Sequence, residues 1–116
     1  MKINLELIKM KTIKIMGMEW QYKLFTLKDF LKNHPDCKGS GALTLPYLRQ
    51  MHFVDVEMDM GTVRHEVRHA FISELGLESA ILNIEQFEEI QCTLDQNRWE
   101  EMDEVSMRIY ENLVIS

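Results

Sequence analysis

The stretch "TVRHEVRHAFISELG" (residues 62–76) decides the fold, because its apolar residues recur at intervals of three and four. These residues are Val63, Val67, Ala70, Phe71 and Leu75. Such spacing is typical of an amphipathic α-helix that buries one face. Asp59 or Thr62 can cap the start of this helix, and Gly76 is a typical C-terminal stop. The pattern therefore predicts a helix from Thr62 to Leu75.

Two regions before this helix have the composition of β-strands. The segment "TIKIMGMEWQYKLFT" (12–26) is rich in branched and aromatic residues, and it predicts one strand or two strands hinged near Gly17. The segment "ALTLPYLRQMHFVDVEMD" (42–59) predicts two further strands, with Pro46 at a sheet edge or a bend. Between these segments we expect a short helix over 26–34 and a loop.

Two helices are predicted after Gly76, over 79–94 and 95–113. The second has an apolar stripe formed by Met102, Val105, Ile109 and Leu113 together with Trp99. Strands thus precede helices, which predicts an α+β fold with a small, mostly antiparallel N-terminal sheet and C-terminal helices. We expect one domain over residues 1–116, since this length is close to the commonest domain size.

Composition excludes several classes of partner and location. The net charge of −6 disfavours nucleic acid, whose binders usually have a basic face. No stretch approaches the ~20 apolar residues that a membrane span requires, and the N-terminus "MKINLELIKMKTIKIMG" lacks the features of a secretory signal. Two isolated cysteines, Cys37 and Cys92, indicate free thiols in a reducing compartment. We therefore expect a cytoplasmic protein that binds neither nucleic acid nor membrane.

The helix over 62–75 contains the spacing of a zinc site. His65 and His69 are four residues apart, so their imidazoles lie one turn apart on the same face and can bind one Zn²⁺. Glu66 is next to His65 and can act as the general base for a water whose pKa the ion lowers to about 7. This predicts hydrolysis of a peptide or protein substrate, with Glu66 as the catalytic residue.

Two blocks of the sequence, "GTVRHEVRHAF" (61–71) and "WEEMDEVSMRI" (99–109), resemble the small zincin-type proteins of phages, mobile elements and bacteria. The resemblance covers roughly residues 39–111. It implies a minimal zincin, composed of a small sheet, an active-site helix and a helix that contributes a glutamate. It also implies a metallopeptidase-like activity.

A catalytic zinc requires a third protein ligand. The metzincin pattern is excluded because Ile72 and Leu75 stand where it has glycine and histidine. The gluzincin pattern takes a glutamate from a later helix, and we predict Glu100 for this role. Glu104, one turn further on, is predicted to accept a hydrogen bond from a zinc-bound histidine. The alternative ligands are Glu101, Glu85, Glu88 and Glu89.

Two other hypotheses are kept beside the peptidase. The first is a non-catalytic regulatory or interaction protein, such as a phage accessory protein, on the same scaffold, with or without metal. Retention of Glu66 favours the enzyme, since a structural metal site does not need a base. The second is a structural zinc site that starts from the spacing of His34 and Cys37 and adds His52 and Cys92.

Overall fold

The computed structural model describes residues 10–37, 39, 41–76 and 84–115. The strands are β1 (Lys11–Ile15), β2 (Met18–Phe25), β3 (Ala42–Leu45) and β4 (Gln50–Val54). The helices are α1 (Leu27–Asn33), α2 (Met60–Glu74) and α3 (Ile84–Ile115). The chain therefore has the predicted α+β fold. No helix in these described ranges has an apolar stretch long enough to cross a bilayer.

The four strands form one mixed sheet in the order β1-β2-β4-β3. The β1–β2 pair and the β3–β4 pair are antiparallel, whereas the β2–β4 pair is parallel. The antiparallel pairs agree with the prediction of a mostly antiparallel sheet, and the parallel pair was not predicted. The chain leaves β2 through α1 and β3 before it returns as β4, so β3 becomes an edge strand.

The β1–β2 hairpin confirms the predicted hinge near Gly17. Met16 and Gly17 form its two-residue loop and have φ values of 52° and 81°. A two-residue hairpin loop with positive φ at both positions matches the right-handed twist of the strands. Glycine adopts such a φ without steric cost, and this explains its place in the loop.

The two faces of the sheet have different partners. Trp20, Tyr22, Met51 and Phe53 pack with the buried sides of α2 and α3 in the main core. On the opposite face, Phe25 and Val54 pack against Phe30 of α1 in a smaller cluster. The alternation of side chains along a strand produces this division. The sheet thereby separates the surroundings of His52, on the α1 side, from those of α2.

α2 closely follows the predicted helix. Asp59 is its N-cap, and the Asp59 side chain accepts a hydrogen bond from the backbone N–H of Thr62. At the other end, Glu74 Oε1 accepts hydrogen bonds from Trp20 Nε1 at 2.8 Å and from Arg49 Nε at 2.6 Å. Trp20 is fully buried, so this bond satisfies an indole N–H that has no access to water. The contacts attach α2 to the sheet at its C-terminal end.

α3 corrects the prediction of two C-terminal helices. The predicted boundary between 94 and 95 lies inside one helix of 32 residues, while residues 79–83 of the predicted helix lie outside the described part of the chain. The segment "DQN" at 95–97 contains neither glycine nor proline, so it does not end a helix. Continuity keeps Leu94 and Met102 on one buried face.

Candidate metal centre

His65 and His69 lie on the solvent-facing side of α2, away from its buried face. Their Nε2 atoms are 3.2 Å apart, and their rings meet edge to face with centroids 4.7 Å apart. The predicted one-turn spacing therefore brings the two imidazoles together. His65 remains open to solvent, with 68% of its side chain exposed.

The geometry of this pair fits a shared metal ion. Zinc binds imidazole nitrogen at about 2.0–2.1 Å, so two ligand nitrogens of one ion cannot be more than about 4.2 Å apart. The separation of 3.2 Å satisfies this limit. Both facing atoms are Nε2, which leaves each Nδ1–H free to bond elsewhere when Nε2 is a ligand. The pair can therefore supply two nitrogen ligands without a change of rotamer.

Glu66 lies on the adjacent side of α2 and is held by the edge strand. Its side chain is 9% exposed, and its Oε1 accepts a hydrogen bond of 2.6 Å from Thr44 Oγ1 on β3. Its Oε2 is 4.0 Å from His65 Nε2. One oxygen is thus fixed by a hydroxyl, and the other faces the histidine pair.

The role of Thr44 was not predicted from the sequence. Alternation in the segment "ALTL" (42–45) places Thr44 and Ala42 on one face of a strand. No local pattern shows that this face meets Glu66, because the contact spans 22 residues. It depends on the pairing of β3 with β4, which is a property of the sheet.

A groove begins at His65 and Glu66 and runs along the N-terminus of α2. Its volume is about 530 Å³. The other lining residues are Gly41, Ala42, Glu57, Asp59, Gly61 and Thr62. Gly41 is required here, since a Cβ at this position would be 2.9 Å from Cβ of Glu57. His65 and Glu66 therefore line a groove that also contains the carboxylates of Glu57 and Asp59.

The predicted third ligand is not brought to the histidines. Glu100 and Glu104 are exposed on α3, and Glu104 forms an ion pair with Arg108 at 2.9 Å. Glu100 was expected in the first turn of a third helix, but it lies well inside the continuous α3. The alternatives are also exposed or paired on α3: Glu85, Glu88, Glu89 and Glu101. Among the described residues, no group of three or more His, Cys, Asp or Glu is placed to hold a metal ion.

The other two histidines form a second pair, between α1 and the sheet. His34 Nε2 is 2.9 Å from His52 Nδ1, and His52 Nε2 is 3.0 Å from Gln50 Oε1. Burial, and then the charges of His34 and Lys23, lower the pKa of His52 to about 4. Cys37 packs beside this region, while Cys92 is exposed on α3. The structure thus joins two of the four residues of the alternative zinc site.

Comparison with known proteins adds no relative. No family model, no curated protein and no solved structure matches the chain. The candidate centre is therefore defined by its own geometry.

Proposed function

We propose that the protein is a zinc-dependent metallopeptidase in which His65 and His69 bind the metal and Glu66 is the general base. The observation that supports this most is the paired Nε2 atoms, 3.2 Å apart, beside the oriented Glu66 carboxylate. Zinc, when bound, supplies Lewis acidity that polarises a carbonyl and acidifies water. On this proposal the scaffold is a minimal zincin, and its predicted location is the cytoplasm, where the free thiols of Cys37 and Cys92 would be stable.

Glu66 moves the proton in this mechanism. Its free oxygen, Oε2, takes a proton from the attacking water as the water oxygen bonds to the carbonyl carbon of the substrate. The same carboxyl group then gives that proton to the amide nitrogen as the C–N bond breaks. Thr44 holds Oε1 at 2.6 Å throughout, so the carboxylate does not rotate away from the reacting water. Orientation of this kind is a large part of catalytic efficiency.

Glu100 remains our proposed third ligand, with Glu104 as its neighbour in the outer shell. Both side chains are exposed in the structure. Ligation by Glu100 would therefore require α3 to turn about its axis, which would withdraw Met102 and Val105 from the main core. Arg64 and Arg68 of α2 pair with Asp103 and Asp95 of α3 at 2.6 Å. These exposed ion pairs are weak enough to exchange partners, since such pairs contribute about 0–1 kcal/mol each.

A non-catalytic role on the same scaffold is the second candidate. It is favoured because, within the described residues, no group of three or more His, Cys, Asp or Glu is placed to hold a metal ion. A two-histidine site without a further ligand binds metal less tightly than a complete catalytic centre. In this role the protein would act through contact with a partner, and the groove would be a binding surface.

Metal content and peptide hydrolysis together test the proposal. The protein is purified without chelator or nickel resin, dialysed against zinc, and compared with Glu66→Gln. We expect about one zinc per chain in both proteins and cleavage of a peptide mixture by the wild type alone, because glutamine keeps the size of the side chain but cannot accept the proton. Zinc without cleavage by the wild type would favour the second candidate, and cleavage at equal rates would exclude Glu66 as the base.

A further inference from the structure

We infer that the groove beside His65 selects peptides with a lysine or arginine side chain next to the scissile bond. This rests on the proposed peptidase function and adds the substrate class. Glu57 and Asp59 line the same groove as His65 and Glu66. A peptide that places its scissile bond at Glu66 therefore places a neighbouring side chain beside two further carboxylates.

The groove is lined by carboxylates, and the structure stabilises the charged form of one of them, Asp59. The backbone N–H of Thr62 donates a hydrogen bond of 2.7 Å to Asp59 Oδ1, and this bond lowers the pKa of Asp59. The carboxylate also sits at the N-terminus of α2, where the helix dipole favours an anion. Glu57 is exposed at the groove wall. Neither carboxylate makes an ion pair with another residue of the described part of the chain.

The basic residues of α2 do not compensate for this charge. Arg64 and Arg68 point toward α3, where Asp103 and Asp95 pair with them at 2.6 Å. The arginines on one side of α2 are thus neutralised by α3. On the side that faces the groove, the lining residues include carboxylates but no lysine or arginine. A basic substrate side chain would supply the missing counter-charge.

The groove, with a volume of about 530 Å³, has room for such a side chain. Gly41 and Gly61 form part of the wall, and the absence of a Cβ at Gly41 leaves Glu57 undisplaced. Consecutive residues of an extended peptide are about 3.3–3.6 Å apart. A lysine or arginine within one or two residues of the scissile bond can therefore lay its aliphatic stem along the groove and its charge beside Glu57 and Asp59.

Cleavage of matched peptides is the first part of the test. Internally quenched peptides carry Lys, Arg, Gln or Glu at the residues that flank a common scissile bond, and kcat/KM is measured for each. We expect Lys and Arg to exceed Gln by up to about fivefold and Glu by more, because partly exposed ion pairs contribute about 0–1 kcal/mol. Glu57→Gln and Asp59→Asn should reduce this preference. Asparagine also caps helices well, so the second variant keeps α2 intact.

Asp55→Asn is the matched control, since Asp55 is exposed in the same turn as Glu57 but does not line the groove. It should leave the preference unchanged. Equal cleavage of all four peptides by the wild type would overturn the inferred substrate class and leave the peptidase proposal standing. An equal loss of preference in Asp55→Asn would show that net charge alone is responsible, and would also overturn the inference.

Binding to Glu66→Gln separates the two proposals. A fluorescein-labelled Lys peptide and its Glu counterpart are titrated with this variant, and anisotropy is measured at low and high salt. We expect tighter binding of the Lys peptide, which salt and Glu57→Gln weaken. If this holds while the wild type cleaves no peptide, the groove inference stands and the peptidase proposal fails. Equal affinity for both peptides would overturn the groove inference.

Discussion

The four histidines of the chain form two pairs whose nitrogen separations are alike and whose surroundings differ. His65 and His69 are one helical turn apart on an exposed face, with Nε2 atoms at 3.2 Å. His34 caps the C-terminus of α1 and His52 belongs to β4; they are 18 residues apart in sequence, and His34 Nε2 lies 2.9 Å from His52 Nδ1. The first pair has a carboxylate oxygen beside it, since Oε2 of Glu66 lies 4.0 Å from His65 Nε2.

The difference lies in the partners of the ring nitrogens. Gln50 donates its amide N–H to Gln21, so its Oε1 accepts from His52 Nε2–H. His52 Nδ1 must then be an acceptor, and His34 Nε2–H donates to it. Both nitrogens of His52 are thereby occupied by the protein. Between His65 and His69, two facing nitrogens share a single contact at the surface, so they remain available to an ion. Proximity of two histidines alone does not make a metal site.

The largest effect should come from removal of the exposed pair. We expect His65→Ala and His69→Ala each to abolish stoichiometric zinc, because one remaining imidazole is too few ligands for a stable site. His34→Ala should keep its zinc. Metal analysis after dialysis, with circular dichroism as a check on folding, measures this. Retention of zinc in both exposed-pair variants, or its loss in a folded His34→Ala, would contradict the distinction between the pairs.

Glu100→Ala tests whether the exposed pair gains its third ligand from α3. If Glu100 binds the ion, zinc affinity should fall more than about 100-fold, since even outer-shell residues account for 10–100-fold. Glu101→Ala tests the neighbouring alternative ligand, which pairs with Arg98 at 3.0 Å in the structure. Competition with a chromophoric chelator gives both affinities. Unchanged affinity in Glu100→Ala would assign the third position to another group.

Buried His52 should make the folding stability depend on pH. The pKa of His52 is lowered to about 4 in the folded protein, whereas an unfolded histidine titrates near 6.5. The unfolded chain therefore binds the proton first, so this contribution is complete above about pH 6.5 and is lost as the pH falls toward 4.

We expect the free energy of unfolding to fall by about 2 kcal/mol over this range. This is less than the whole pKa shift of His52 would give, because solvent screens part of its surroundings. Urea denaturation of the wild type and His52→Gln between pH 7 and 4 measures it. Between pH 7 and 4, the free energy of unfolding of His52→Gln should fall by about 2 kcal/mol less than that of the wild type. Parallel pH profiles for the two proteins would show that His52 is not held neutral.

The smallest effect concerns the support of Glu66. Thr44→Val removes the hydroxyl that donates to Glu66 Oε1, and we expect about a tenfold loss in kcat with zinc retained. Thr44→Ser keeps the hydroxyl and should restore most of the rate. A similar loss in both variants would indicate that the methyl group of Thr44, through packing, matters more than its hydrogen bond.

Local patterns predicted much of the fold. The apolar period of α2, its cap at Asp59 and the hinge at Gly17 are set by neighbouring residues, and all three agree with the structure. The parallel pairing of β2 with β4 is not local, since it joins segments from two sides of α1 and β3. The single α3 was missed because polar residues at 95–97 resemble a linker, although they permit a helix.

The candidate site likewise combines residues placed by local structure with residues placed by tertiary packing. His65, Glu66 and His69 lie within one helical turn, so their relative placement follows from the helix itself. Tertiary packing, which no spacing in the sequence encodes, brings Thr44 and Glu57 to this centre. The same packing leaves Glu100 exposed on α3. The contact of His34 with His52 likewise depends on where α1 docks on the sheet.

The two tryptophans give the molecule a pair of optical reporters. Trp20 is fully buried and bonded to Glu74, whereas Trp99 on α3 is 54% exposed. A buried indole emits at shorter wavelength and resists collisional quenchers, so acrylamide should silence Trp99 first. The emission that remains in the presence of acrylamide comes from Trp20 and reports on the attachment of α2 to the sheet. The emission that acrylamide removes comes from Trp99 and reports on the outer surface of α3. A turn of α3 on addition of zinc would change the second signal and leave the first.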